Sequence, residues 1–566
     1  MRNRLVVAAV AFAAAASVCA ASPPYLRQLD ALRTSSEVLP PRLARVELFS
    51  MFNREAPVPP QCYTRTEGRY NPCYVCHQAP VAGRENQMDD GDLQAEYSFS
   101  DTGTENHWRN LFEDRAARIA AISNVEIRAW IEQDNYTDLA PRLVAAGFQG
   151  YIPDLANLQR GPAAFDANGF ARDGSAWVAF DYKPLPSTFW PTNGATDDVM
   201  IRLPPAFRRN TAGRESRDVY SANLAILEMA IKDLPSVETP PIDERRIGRD
   251  LDGDGQRGIV KRARAANRYV GAASSIDVTP FIYPQDTEFL HTVRYIGLDA
   301  DGAIVNSTRI KEVRYMRRWL RSDAVQLRQR YDAEKIEKEK GELPAYINLG
   351  HRGLGTAMGW QIAGFIEDRG GRLRASTFEE NMFCMGCHNS IGSTIDKTFS
   401  FARKVDGAAG WGYINLRGMP DAPNKGETVG EIATYLERAG GGSEFRSNPE
   451  MQARWFHADG SVNSAAIASA RDVYDLIAPS ADRALLLNKA YRVIVDEQSY
   501  LFGRDPLPSP PHNVYRSIDP ATAPTLPPAR QFSWDIRLDW HAGAPAVASN
   551  PASIRRSGVR HQVSAR

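Results

Sequence analysis

The chain of 566 residues has no excess of either charge and few of the side chains that usually bind transition metals. Its 68 Lys and Arg residues balance 68 Asp and Glu residues, whereas a nucleic-acid partner usually requires a basic surplus. After the start of the chain, no apolar run approaches the length of a membrane span, so we expect no span. Only six cysteines and nine histidines are present, which makes their positions informative.

The first twenty residues have the features of an export signal. Two arginines precede the apolar run Leu5–Ala16, and small residues follow up to Ala20. The pattern predicts cleavage after Ala20 and an exported, periplasmic protein. Two alternatives stay open, an extracellular protein and a lipid-anchored one in which Cys19 is the modified first residue. Val18 immediately before Cys19 counts against the lipid anchor.

Four of the five cysteines after the signal lie in two copies of C-x-x-C-H. In this spacing two thiols can each add to one vinyl group of a haem, and the following imidazole can ligate the iron. Export and the duplication favour covalent haem over zinc ligands, a redox-active cysteine pair or disulfides. The predicted haem-binding residues are Cys73, Cys76, His77, Cys384, Cys387 and His388.

Through these two motifs the chain resembles large di-haem c-type cytochromes. The resemblance and the residue patterns together imply an α+β protein with two mainly helical, cytochrome c-like haem units and a mixed α+β insert between them. The expected division is a signal peptide (1–20), a first haem unit (21–150), the insert (151–343), a second haem unit (344–504) and a Pro-rich C-terminal tail (505–566). Within the insert, 291–298 and 303–317 flank the turn sequence Asp299–Gly302 and predict a hairpin.

Each haem iron has a sixth position, and its ligand decides between electron transfer and catalysis. His107 and His351 each lie about thirty residues from a motif, and we predict them as the distal ligands of the first and second haem. Met419, in a Met-Pro pair, is the alternative for the second haem. His291 is a poorer choice because it lies in a predicted strand of the insert.

Two further patterns carry weaker expectations. Asp250, Asp252 and Asp254 occupy the first, third and fifth positions of a calcium-type loop, but Lys261 replaces the glutamate at its twelfth position. Calcium is therefore an alternative to a plain acidic turn. The basic run from Arg314 to Arg330 is expected to be a solvated helix face, with haem propionates as its other possible partner.

The expected function is electron transfer between redox partner proteins of the periplasm by two covalently bound haem c groups. The alternative is a di-haem peroxidase or oxygenase in which one haem has an open or exchangeable site. Electron transfer alone does not explain the long insert, so an enzyme remains the alternative.

Overall fold

The computed structural model describes the greater part of the chain. The described residues are 53, 56–64, 73–77, 101–186, 189–340, 346–388, 391–439, 448–519, 521–523, 526–528, 531 and 535–542. The predicted signal peptide, including Cys19, lies outside them. Among the described residues no helix has the length and apolar character needed to cross a membrane.

A large antiparallel sheet is the main element of the fold. Its eight strands run in the order β1-β2-β5-β6-β9-β8-β7, with β10 also paired to β9. Their bounds are β1 Val178–Ala179, β2 Thr196–Arg202, β5 Glu288–Leu298, β6 Ile304–Arg318, β7 Ile347–Asn348, β8 Leu354–Gly355, β9 Trp360–Glu367 and β10 Leu373–Ala375. Two small sheets pair β3 (Ser236–Asp243) with β4 (Ile259–Arg264) and β11 (Asn424–Lys425) with β12 (Asp535–Leu538).

This sheet shows that the expected fold class was wrong. Strands β5 and β6 form the hairpin that the turn sequence predicted, and that part of the prediction is confirmed. However, β6 also pairs with β9, which follows residue 344, along Glu312–Arg318. The region expected to be a mainly helical second unit therefore begins with strands of the same sheet. All residues of β9 except Gly364 are buried, and most of them are apolar, which suits a strand buried on both faces.

The helices are short except for three, and they pack around the sheet. Their bounds are α1 Ala116–Ala121, α2 Asn124–Ile131, α3 Leu139–Ala145, α4 Arg217–Lys232, α5 Glu244–Ile247, α6 Ala324–Glu339, α7 Phe378–Met382, α8 Met385–His388, α9 Glu431–Ala439, α10 Pro449–Trp455, α11 Ser464–Ala468, α12 Val473–Ile477 and α13 Ala481–Glu497.

Helix α13 packs against the β5–β6 hairpin. The side chain of Asn488 donates to the carbonyl of Ile296 and accepts from its N–H, at 2.8 and 3.0 Å. The ring of Tyr491 meets Tyr295 edge-on, with centroids 5.5 Å apart. These contacts place Arg483, near the start of α13, beside the cavity described below.

One face of the hairpin lines a second cavity, which adjoins the first and is also described below. Because side chains alternate between the faces of a strand, Phe289 and His291 of β5 share a face with Arg314 and Met316 of β6. The register confirms this grouping, since His291 pairs with Arg314 and Phe289 pairs with Met316. The basic run is thus not the solvated helix face that its spacing indicated, because Arg314, Arg317 and Arg318 belong to β6, only Arg317 of these three is exposed, and α6 begins only at Ala324.

Candidate functional site

The second C-x-x-C-H motif forms one helical turn at the start of α8. The N–H groups of Cys387 and His388 both donate to the carbonyl of Cys384, at 3.2 and 3.0 Å. Helix α7, immediately before the motif, begins with a capping box between Thr377 and Glu380. The local sequence therefore fixes the direction from which the chain enters the motif.

The first motif adopts the same turn. The N–H groups of Cys76 and His77 donate to the carbonyl of Cys73, at 3.2 and 2.8 Å. Tyr74 inside this motif is buried, and its hydroxyl donates to the carbonyl of Tyr435 in α9. The two motifs thus share one backbone conformation, in which both thiols and the imidazole project from a single turn.

Two adjoining cavities, a larger and a smaller one, surround the second motif. The residues that line both cavities are Phe189, Arg314, Cys384, Cys387 and His388. The motif side chains therefore lie at the boundary between two spaces.

The segment before the first motif closes the larger cavity. Pro59, Pro60 and Gln61 contribute to its lining. A Cβ atom at Gly386 would lie only 2.9 Å from carbons of the Pro59 ring, so the second motif packs closely on this segment. A larger residue at position 386 would push the second motif away from Pro59.

The larger cavity is rich in cations. Its lining contains Lys311, Arg314, Arg483 and Arg504 against Glu312 and Asp505, which is four formal positive charges against two negative ones, a surplus of two. Among the described residues Arg483 forms no ion pair, and its guanidinium makes only a 3.4 Å hydrogen bond to the carbonyl of Thr192. Arg483 is half-buried, and its positive charge favours an anionic group in this cavity.

Glu312 organises two of these cations. Its carboxylate accepts hydrogen bonds from Arg314 and from Arg504, at 2.9 and 2.8 Å. Although burial alone would raise the pKa of Glu312, the two arginines lower that pKa to about 2. The ionised carboxylate therefore holds the guanidinium of Arg314 at the boundary of the two cavities.

The imidazole of His388 lacks a partner for one nitrogen. Its Nδ1 atom is buried and has no hydrogen-bond partner among the described residues. Burial, with a smaller contribution from Arg314, lowers the pKa of His388 to about 3, so the ring is neutral at pH 7. A neutral imidazole is the form that binds metal. The ring meets that of Phe399 edge-on, with centroids 5.8 Å apart.

The thiols of Cys384 and Cys387 are free, and burial raises the pKa of Cys387 to about 11. Among the described residues, neither motif forms a group in which two sulfurs and an imidazole nitrogen lie within 4.8 Å of one another. Zinc needs ligand atoms that converge at about 2.0–2.3 Å from one ion. The spread arrangement instead fits thiols that attach to the periphery of a macrocycle while the imidazole faces its centre.

A second histidine lines the smaller cavity together with His388. His291 projects from β5, and its Nε2 atom lies 3.3 Å from Oδ2 of the buried Asp197 in β2. The same carboxylate also accepts the hydroxyl of Tyr182. Burial, reinforced by Arg314, lowers the pKa of His291 to about 3. The sequence reasoning discounted His291, although its position between inward-facing Phe289 and Val293 places its side chain on the buried face of β5.

The structure places the predicted distal ligands elsewhere. His351 is exposed, with its ring stacked on Phe148 at 4.8 Å and its Nδ1 accepting from the N–H of Gln149. It does not line either cavity. Met419 is buried in a cluster with Tyr74 of the first motif and is likewise absent from both linings.

His107 is half-buried. The ring of its neighbour Trp108 packs edge-on against Phe383, the residue before Cys384. The role of His107 as the distal ligand of the first haem stays a prediction.

A single apolar cluster connects the two motifs. Tyr74 and Val75 of the first motif pack in it with Trp190, and Cys76 and Phe399 lie against it. Trp190 also lines the larger cavity beside His388, and Phe399 touches the ring of His388. Two segments far apart in sequence thus share one aromatic contact region.

The predicted calcium loop forms a compact acidic turn. Ligand-type oxygens of Glu244, Asp250 and Asp252 lie within 4.8 Å of one another. Asp254 is not part of this group, and its carboxylate accepts the N–H of Gln256 instead. Glu244, which was not among the predicted ligands, comes from α5 and also accepts the N–H of Gly258.

Comparison with known proteins assigns the chain to a class of exported proteins. A family model described as a "-like lipoprotein" matches residues 45–474, which is more than half of the chain and includes both motifs. The chain belongs to this lipoprotein family. A relative from Aquifex aeolicus (strain VF5), named "Uncharacterized lipoprotein", is 31% identical over 512 residues, which cover 80% of this chain and 86% of the relative. No solved structure matches the chain.

This assignment corrects one expectation and supports another. The comparisons place the chain in a lipoprotein family and not among the c-type cytochromes. The predicted membership of the large di-haem cytochromes, and with it of an established class of haem proteins, was therefore wrong. Export, by contrast, agrees with membership of a lipoprotein family. The family assignment leaves open what the two C-x-x-C-H motifs bind.

Proposed function

We propose that each C-x-x-C-H motif of this lipoprotein binds one haem covalently and that the protein transfers single electrons between redox partners outside the cytoplasm. The observation that carries the proposal is the position of Cys384, Cys387 and His388. All three side chains line two adjoining cavities, while their ligand atoms remain too widely spaced to bind one small metal ion. The proposal concerns these sites and is independent of the cytochrome families.

The chain's own residues supply each interaction that a bound haem needs. Each thiol adds across one vinyl group, so that a sulfur–carbon bond forms and the thiol hydrogen moves to the neighbouring carbon. No oxidant or reductant is consumed. His388 offers a neutral imidazole, and Arg483 offers a guanidinium group for a propionate, which guanidinium can bind through two parallel hydrogen bonds. The bound group would supply one-electron redox chemistry.

The first motif is proposed to act in the same way on the evidence of its identical turn. Its contact with the apolar cluster gives electrons a short path between the sites. Trp190 packs in that cluster and lines the larger cavity, and Phe399 lies against the cluster and meets the ring of His388 edge-on.

We further propose that the protein is held at a membrane surface by lipid on Cys19. Membership of a lipoprotein family outweighs the unfavourable Val18 before this cysteine. The partners would then be redox proteins of the periplasm that reach the same surface. An anchor of this kind needs no span within the folded part of the protein.

Covalent haem is tested by denaturing gels stained for haem-dependent peroxidase activity. The exported chain should carry two haems, and the double variant Cys384→Ala/Cys387→Ala should carry one. Cys62→Ala is a matched control because this cysteine belongs to neither motif, and it should keep both haems. Correctly exported protein that holds no haem would refute the proposal.

One observation favours an enzyme as a second candidate. His291 and Tyr182 line the smaller cavity, and both contact the buried carboxylate of Asp197. The polarity of such a pocket helps to decide whether haem iron transfers electrons or activates oxygen species. If the second iron had an exchangeable site, these three side chains could hold and move protons beside it. Turnover of hydrogen peroxide with an electron donor, lost in Cys384→Ala/Cys387→Ala but not in Cys73→Ala/Cys76→Ala, would favour the enzyme.

A further inference from the structure

Two imidazoles line the cavity beside the second motif, although they come from unrelated parts of the fold. His388 belongs to the motif turn, whereas His291 stands in the middle of β5, on the floor formed by the sheet. The sheet is the most extensively hydrogen-bonded part of the described structure, with β5 paired on both sides. A group on this strand therefore has a fixed position relative to the motif.

The surroundings of His291 hold its ring in one orientation. Asp197 contacts Nε2, and Phe189 meets the ring edge-on with centroids 5.0 Å apart. Asp197 is itself fixed by Tyr182. No described residue hydrogen-bonds to Nδ1 of His291. Histidines that ligate metals usually present one ring nitrogen to the metal and the other to a carboxylate or carbonyl.

We propose that His291 is the second axial ligand of the haem held by Cys384, Cys387 and His388, and that Asp197 positions its ring. This inference rests on the proposed function and deepens it, since it makes the second haem a bis-histidine electron-transfer centre. The ligand comes from the sheet and not from a loop near the motif. Insertion of the haem would thereby join α8 to β5.

One other side chain in the cavity could compete for the iron. Met316 lines the same cavity, on the neighbouring strand and on the same face as His291. Its position opposite Phe289 places it in an apolar part of the floor, and a carboxylate comparable to Asp197 is absent from its described contacts. We therefore assign the ligand role to His291 and treat Met316 as the outcome that would contradict the assignment.

The test uses the full exported chain with Cys73→Ala and Cys76→Ala, so that only the second haem contributes to optical and electron paramagnetic resonance spectra. The parent should show a low-spin iron. His291→Ala should lose the low-spin signal and gain a high-spin one while haem stays on the gel, and added imidazole should restore the low-spin form. His351→Ala is the matched control, because this histidine is exposed outside the cavity, and its spectrum should equal that of the parent.

Each contrary result shows which part of the proposal is wrong. A low-spin signal that persists in His291→Ala but disappears in Met316→Leu would overturn the inference in favour of methionine. A high-spin second iron in the parent would overturn it in favour of an open site. Absence of haem from the gel would refute the proposed function itself and not merely the ligand.

If His291→Ala fails to fold, the unaltered protein and the conservative variant Asp197→Asn test the inference instead. In the unaltered, reduced chain the second haem should bind carbon monoxide slowly, because a protein ligand must leave first, and a single fast phase for both haems would contradict the inference. Asp197→Asn should keep the low-spin iron but raise its reduction potential, since an imidazole without its carboxylate partner is a weaker donor. An unchanged potential would exclude the positioning role of Asp197.

Discussion

The ring of His388 stands edge-on to the ring of Phe399, with centroids 5.8 Å apart and planes at 85°. Phe399 in turn packs against the cluster that contains Tyr74 and Val75 of the first motif. This one aromatic ring therefore contacts the imidazole of one motif and the surroundings of the other.

Replacing this ring should slow electron exchange between the sites. In Phe399→Leu both haems should stay bound, because the thioethers are unaffected, but transfer from one haem to the other should slow several-fold as the aromatic contact is lost. Rapid mixing with a reductant, followed at wavelengths that separate the two haems, measures the rate. Phe148→Leu is the control, since that ring packs on the exposed His351. Equal rates in both variants would exclude Phe399 from the path.

Arg483 should raise the reduction potential of the second haem. Its guanidinium has no ion pair among the described residues and faces the larger cavity, so its removal favours the more positive oxidised iron. Two unit charges about 10 Å apart interact by about 1–2 kcal/mol at an effective dielectric of about 20. Arg483→Gln should therefore lower the potential measurably in a redox titration.

The exposed Arg369 provides the matched comparison for that titration. Arg369→Gln removes the same charge from solvent-exposed surface, where screening makes its effect small. If Arg483→Gln and Arg369→Gln gave the same potential as the parent, Arg483 would have no electrostatic role at the site.

Glu312 should stabilise the protein at neutral pH and lose this effect in acid. Arg314 and Arg504 lower its folded-state pKa to about 2, below the ordinary value of 4.5. A depressed carboxylate pKa contributes stability above the unfolded pKa, and that contribution is lost as the pH falls from about 5 to about 2. Glu312→Gln should lower the free energy of unfolding at pH 7 by about 3–5 kcal/mol, because two buried cations lose their partner.

Denaturant unfolding at several pH values measures both effects. Between pH 5 and pH 2 the stability of Glu312→Gln should change less than that of the parent. Glu113→Gln, at an exposed position, should follow the parent throughout. A parallel pH dependence for Glu312→Gln and the parent would show that this carboxylate does not carry the acid sensitivity.

We predict that the acidic turn binds calcium through Glu244, Asp250 and Asp252. An ion that binds only the folded state stabilises it by about 2.7 kcal/mol at one hundred times its Kd. Calcium should then raise the melting temperature of the chelator-treated protein, and Asp250→Asn should abolish this shift. Asp254→Asn should keep it, because Asp254 lies outside the group of three. The absence of any shift in the parent would leave the stretch as a turn.

The sequence by itself determined the local chemistry of the motifs. Two thiols and an imidazole within five residues lie close together, and both motifs form one turn. The β5–β6 hairpin was equally accessible, since a tight turn sequence separated two runs of strand-forming residues. The basic run misled because Arg314 and Arg318 belong to a strand and not to a helix. Arg314 pairs with Glu312 on the same strand, and Arg318 pairs with Asp396, which is distant in sequence.

Only the tertiary structure decided what surrounds the motifs. His291 reaches the cavity because β5 lies beneath α8, and Arg504 reaches it because the chain after α13 returns to the sheet. Proximity along the chain favoured His351, but its ring stacks on Phe148 and it lines neither cavity. Sequence spacing limits how far two residues can be apart, whereas strand pairing over hundreds of residues determines which ones meet, and that pairing depends on the burial of whole faces and not on any single motif.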